Sequence, residues 1–128
     1  MKKVIELPDQ KITAAAVELV RSRLEYFNET YRFRYSRVTI RNQKTRWGSC
    51  SSRGHLSFNY KLVMLQPKHA DYIIVHELCH LGELNHSKSF WDLVQITMPD
   101  HKKIRKELRK IHLGYLYAQT KYCHSFRG

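Results

Sequence analysis

The sequence predicts an α+β domain: a small antiparallel sheet packed against a histidine-bearing helix, with further helices on its flanks. Three observations lead there. Apolar residues recur at helical spacing over residues 11–28. Apolar and polar residues alternate over 36–41 and again over 55–61, the period of a half-buried strand. An apolar run, Ile73, Ile74 and Val75, leads directly into His76-Glu77-Leu78-Cys79-His80, as a buried helix requires.

In order, Ile12, Ala15, Ala16, Leu19, Val20, Leu24 and Phe27 make one face of the first helix, 11–28. Val38 and Ile40 share a face of the strand over 36–41. Residues 45–54 are rich in Gly and Ser and read as a loop or hairpin connection. In 55–61, Leu56, Phe58 and Tyr60 face one way, and Ser57, Asn59 and Lys61 the other. As an edge strand, 55–61 would offer unpaired N–H and C=O groups to an extended peptide. As an inner strand it would be paired on both sides, and the sequence leaves the two open. Residues 67–81 form the histidine helix, with Pro67 near its start. Gly82 is expected to end it by adopting positive φ. Ser87 is a good N-cap for a helix through Phe90, Trp91, Leu93, Val94 and Ile96. Met98-Pro99-Asp100 breaks that helix, and Asp100 can cap a last one running through Lys110. Residues 114–128 are aromatic and basic and take no assignment. The length suits one domain over 1–128.

Composition bounds the rest. With 42% hydrophobic residues the chain is expected to fold. No apolar run approaches a membrane span, so no membrane partner is expected. Residues 1–8 are too short and too charged for a signal peptide, which makes the expected location cytoplasmic. Three cysteines, Cys50, Cys79 and Cys123, do not suggest a disulfide framework. Cys79 reads as a small buried packing residue. The net charge is +12, and it is concentrated in two runs. Arg32, Arg34, Arg37, Arg41, Lys44 and Arg46 form one; Lys102, Lys103, Arg105, Lys106, Arg109 and Lys110 form the other. Each run alone reads as a solvated face; together they suit a nucleic acid or nucleotide partner.

The chemistry concentrates in 76–86. On a helix, His76 and His80 stand one turn apart, so both imidazoles leave the same face and can grip one zinc ion. Past Gly82, the chain can turn through Glu83, Leu84 and Asn85 and bring back His86. Three protein ligands leave one position open, the arrangement of a catalytic site. Glu107, the sole acid on the last helix, is the rival third ligand; His86 is favoured because it needs little chain to return. Glu77 projects from a neighbouring part of the helix surface, where a general base could reach a metal-activated water. Arg46 could bind a carboxylate or phosphate on the open side of the metal, or pair with an acid in the core. Trp47 is expected to pack under the helix, and Gly48 to let the backbone turn tightly.

Thr45-Arg46-Trp47-Gly48-Ser49-Cys50-Ser51, Leu56-Ser57-Phe58-Asn59, residues 71–80, Asn85-His86-Ser87 and Phe90-Trp91 together resemble the YgjP-like metallopeptidase family, which is similar to the SprT-like proteases. The likeness runs roughly from the first helix to Arg109. One departure is visible: family members usually carry a longer β-rich region before that helix. The resemblance implies a minimal zincin-like fold, zinc held by His76, His80 and His86, and Glu77 as general base. The expected function is a zinc-dependent hydrolase, a metallopeptidase cutting peptide bonds in a peptide or protein substrate. Arg46, Asn59 and Tyr60 are the candidate substrate contacts. The resemblance also implies alternatives: a nucleoside triphosphate pyrophosphatase or phosphohydrolase, or a nucleic-acid-associated protease. Against a phosphohydrolase, the chain has no carboxylate cluster for magnesium and no P-loop. The sequence does not set the oligomeric state.

Overall fold

A computed structural model describes residues 5–6 and 14–111. The start of the first helix at 11–13, Cys123 and the segment 114–128 lie outside the described residues. Strand β1 (Ile5–Glu6) precedes helix α1 (Ala14–Tyr31), and β2 (Arg37–Arg41), β3 (Gly48–Cys50) and β4 (His55–Asn59) follow. A 3₁₀ turn (Tyr60–Met64) leads into α2 (Pro67–Cys79), then α3 (Lys88–Thr97) and α4 (His101–Leu108).

The α+β architecture agrees with the sequence reading, but the sheet is mixed where an antiparallel one was expected. Its order is β1-β2-β4-β3. The β3–β4 hairpin is antiparallel, whereas β1, β2 and β4 run parallel. The chain passes from β1 to β2 through α1, and a crossover of that kind returns a strand parallel to the first. The strand over 55–61 is an inner one. As β4 it ends at Asn59 and pairs with β2 on one side and β3 on the other, so among the described residues the free edge near α2 belongs to β3. Gly48, Phe58 and Ile40 stand level across the strands and share the face turned to α2. Ser49, Ser57 and Thr39 stand level on the outer face.

The core lies between that inner face and the helices. Ile40, Leu56, Phe58, Tyr72, Ile73, Ile74, Leu78 and Phe90 are fully buried. From α1 the buried stripe is Ala16, Val20, Leu24 and Phe27, the spacing read from the sequence. This helix outlasts its expected end at Asn28. The Asn28 side chain bonds the exiting chain instead: Nδ2 donates to Phe33 O at 2.9 Å, and Phe33 N donates to Oδ1 at 2.9 Å. Arg23 anchors α1 to α2 through a two-pronged bond to Asp71, at 2.8 and 3.0 Å.

Two glycines act differently from expectation. Gly82 does not adopt positive φ; among the described glycines Gly54 does. A Cβ at Gly82 would stand 2.7 Å from Phe33 Cζ, so the position needs a glycine for close packing. The helix runs out through tight bonds from His80, Leu81 and Gly82 N–H to Glu77, Leu78 and Cys79 carbonyls. Gly48 lies inside β3 rather than in a turn. A Cβ there would stand 3.0 Å from Glu77 Cγ and 3.1 Å from Ser57 O. Its small size brings the edge strand against α2. Ser87 caps α3 as expected, its Oγ accepting from Phe90 N. Asp100 starts α4 with its carbonyl, not its side chain, and α4 ends at Leu108.

Candidate metal centre

The period of α2 puts the His76 and His80 side chains on one face, and the turn after the helix returns His86 to them. His86 Nε2 is 3.2 Å from His76 Nε2 and 3.1 Å from His80 Nε2. The three residues form a cluster whose ligand atoms all lie within 4.8 Å. His80 Nδ1 is 2.9 Å from Glu83 O. A carbonyl only accepts, so Nδ1 carries the proton and Nε2 presents a lone pair. His76 Nδ1 stands 3.3 Å from Glu77 Oε2, and a proton donated there likewise frees His76 Nε2. Burial pushes the His76 pKa down to about 3, with the Arg105 charge adding to the effect, so its ring is neutral. His76 and His80 turn Nε2 acceptors toward His86 Nε2, and three imidazole nitrogens gathered in this way fit a metal ion.

Glu77 is 2% exposed. Burial pushes its pKa up to about 7, an effect opposed by electrostatic attraction to His80, when that ring is protonated, and to the Arg46 guanidinium. Glu107, the rival ligand, is elsewhere. Its Oε1 accepts from His69 Nε2 at 2.9 Å and Lys68 Nζ at 3.2 Å, and these bonds hold its carboxyl below the usual range.

Aromatic rings brace the cluster. Phe90 stacks on the His80 ring at 4.3 Å and meets His76 and His86 edge-on at 5.1 and 5.0 Å. Trp91 stacks on His86 at 5.8 Å and on His101 at 5.2 Å. Arg105 Cζ lies 5.1 Å over the Trp91 ring. The sequence reading missed His101 and placed Arg105 only in the basic run of 102–110. Their one signal was the four-residue spacing that puts both on the same face of α4.

The candidate substrate contacts separate. Asn59 is 1% exposed, and its side chain is committed to the chain itself. Its Nδ2 donates to Gln43 O and Arg46 O, and its Oδ1 accepts from Lys61 N. It clamps the loop that carries Arg46, a structural role beside the substrate contact expected of it. Tyr60 opens the 3₁₀ turn with its ring against the core and Lys61 Nζ 5.5 Å away. Arg46 is exposed, close enough for its charge to act on Glu77. Trp47 is buried, as expected. Cys79 is buried too, its thiol pushed up to about 12 by burial.

The family model described as YgjP-like, metallopeptidase domain matches residues 2–111. The chain belongs to that family. It is a peptidase-type hydrolase, and the family implies a metal ion. The metallopeptidase zymogen abylysin of Pyrococcus abyssi is similar in structure, with a TM-score of 0.64 and 27% identity over 71% of this chain and 92% of that one. Wss1 from Saccharomyces cerevisiae shares the fold, with a TM-score of 0.61 and 16% identity over 86% of this chain and 93% of its own. No curated protein sequence matches the chain. Among the described residues no helix is long and apolar enough to cross a membrane.

Proposed function

We propose that this YgjP-like chain is a zinc peptidase in which His76, His80 and His86 hold the metal and Glu77 is the general base. One observation carries the reading: three imidazole nitrogens converge beside a buried carboxyl that lies directly under an edge strand. An all-nitrogen set of three suits zinc over magnesium or calcium, which prefer oxygen. His76, His80 and His86 would hold the ion through ring nitrogens that all lie within 4.8 Å of one another. When bound, zinc lowers the pKa of a water in its open position and polarises a carbonyl.

The residues supply the rest. In the hairpin, Asn59 N donates to Trp47 O and Ser51 N to His55 O. Ser49 is therefore bonded toward β4, and Gly48 and Cys50 turn their N–H and C=O groups to the free edge. An extended peptide pairs there as a further strand and lies across Glu77. The Glu77 carboxylate accepts a proton from water as the water oxygen bonds to the scissile carbonyl carbon. It then gives that proton to the amide nitrogen as the C–N bond breaks. A pKa raised toward 7 suits a group that must both take and return a proton. The free thiols Cys50 and Cys79 suit a reducing compartment, and we place the chain in the cytoplasm. The outward residues of α4, Lys102, Lys103 and Lys106, are exposed and suit a nucleic acid partner.

The test is Glu77→Gln. The variant should bind zinc as the native chain does, by elemental analysis, and lose about 10²- to 10⁴-fold in peptide hydrolysis. Native-rate turnover by the variant, or no zinc uptake by the native chain, overturns the reading.

A further inference from the structure

The outer face of the β3–β4 hairpin carries a concavity of about 290 Å³, room for one side chain rather than a large ligand. Arg41 and Arg46 line it, together with Gln43, Ser49, His55 and Ser57, and no carboxylate is among its described lining residues. Ser57 is 6% exposed, and its Oγ is buried without a hydrogen-bond partner. A buried hydroxyl left unpaired is costly, so such a group marks a place where something else completes the bonding. Asn59 fixes the loop that holds Arg46 at the rim.

The position relative to the edge strand gives the concavity a role. Ser49 stands level with Ser57 on the outer face, while Gly48 faces Glu77 on the inner one. Side chains of a paired peptide alternate between the same two faces. The peptide residue level with Gly48 lies over Glu77. Its neighbour, level with Ser49, turns its side chain to the outer face beside Ser49, from where it can reach inward over β3 into the concavity that Ser57, Arg46 and Arg41 line. We propose that this concavity is a specificity subsite for an acidic side chain, Asp or Glu, next to the bond being cut. Guanidinium forks and hydroxyl donors match a carboxylate's acceptors, and no acid in the lining competes for them. This inference rests on the reading of the β3 edge as the peptide-docking strand.

The experiment has two arms. In the first, the zinc-loaded native chain cleaves a complex peptide mixture, and mass spectrometry locates the cut bonds. Acidic residues should be enriched at one fixed position beside the cut and not at the positions flanking it. A one-residue shift sends a side chain to the opposite face, so the enrichment must be that sharp. In the second, Glu77→Gln protein binds a fluorescein-labelled peptide containing the preferred Glu, or its Gln twin, read by anisotropy. The Glu peptide should bind about tenfold tighter. Arg41→Gln and Arg46→Gln should remove that margin, and Ser57→Ala should reduce it. Reversing Lys102, Lys103 and Lys106 to Glu should leave it in place. Arg46 is exposed and Arg41 half-buried, so the two arginine changes test the subsite apart from the buried position that Ser57→Ala alters. Twins that bind alike, or acid enrichment spread over many positions, overturn the subsite and leave the peptidase reading standing. Failure of either peptide to bind, with no cleavage of any peptide, overturns the docking strand and the subsite together.

Discussion

Gly48→Ala tests whether the edge strand and the carboxyl of Glu77 are packed against each other. The added methyl would meet Glu77 Cγ at 3.0 Å, Ser57 O at 3.1 Å and Phe58 Cδ1 at 3.3 Å. Ser57 O is backbone within β4, and the Phe58 ring is fully buried, so neither yields readily. Glu77 is the softest neighbour and should move. Overpacking of this kind costs about 1–3 kcal/mol. Gly48 has no left-handed φ, so alanine also restricts the unfolded chain and returns about 0.4–1 kcal/mol. The net expectation is a loss of about 0.5–2 kcal/mol, or roughly 2–8 °C in Tm for a chain of this size. Urea unfolding of the metal-free protein reads it. A double-mutant cycle with Glu77→Ala isolates the contact, because that change deletes Cγ. In the Glu77→Ala background, Gly48→Ala should cost less by about 0.5–1 kcal/mol. Hydrolysis by the single variant should fall about tenfold or more, as the base is displaced. Additive effects, or an unchanged stability on adding the methyl, would refute the contact.

Two further outcomes follow from the site. His86→Ala should lose metal on dialysis, whereas Glu107→Ala should keep it and lose stability instead, since it strands the buried His69; metal content and unfolding midpoints read the two effects, and the reverse pattern would reject the ligand assignment. Lys102→Glu, Lys103→Glu and Lys106→Glu together should weaken single-stranded DNA binding, steeply so as salt rises, without changing zinc content; no DNA affinity at low salt in the native chain would dismiss a nucleic acid partner.

The helices and the histidine cluster were legible because they follow from local periodicity. His76 and His80 sit one helical turn apart whatever surrounds them, and the stripe from Ala16 to Phe27 needs one wet side and one dry side. Strand pairing was not legible. Alternation over 55–61 says which residues share a face, but not which strands lie on either side, and β4 turned out to be interior. β1 is two residues long and carries no usable period. Glycines gave the right positions with the wrong reason. Gly82 and Gly48 read as turn formers, yet each is small because another element passes close by, Phe33 in one case and Glu77 in the other. That reason depends on tertiary contact and leaves no local trace. The loop-clamping role of Asn59 was hidden in the same way, since its partners, Gln43 O and Arg46 O, come from a loop more than a dozen residues earlier.

His86, the proposed third ligand, lies outside any helix or strand, and its neighbours fix its place. His86 lies between α2 and α3, in a stretch without regular structure. Four local features fix that stretch: the His80–Glu83 hydrogen bond, Gly82 against Phe33, the Ser87 cap, and Phe90 against all three imidazoles. Phe90 is also a core residue with no exposed surface. The same side chain thus closes the hydrophobic core and sets the ring angles of the cluster. In the proposed site, a metal held by all three rings would tie α2 to the start of α3 across a stretch without regular structure. Its binding energy would then add to the stability of the native chain. Zinc should therefore raise the unfolding midpoint, and His86→Ala should abolish that rise; a midpoint indifferent to zinc would refute the coupling.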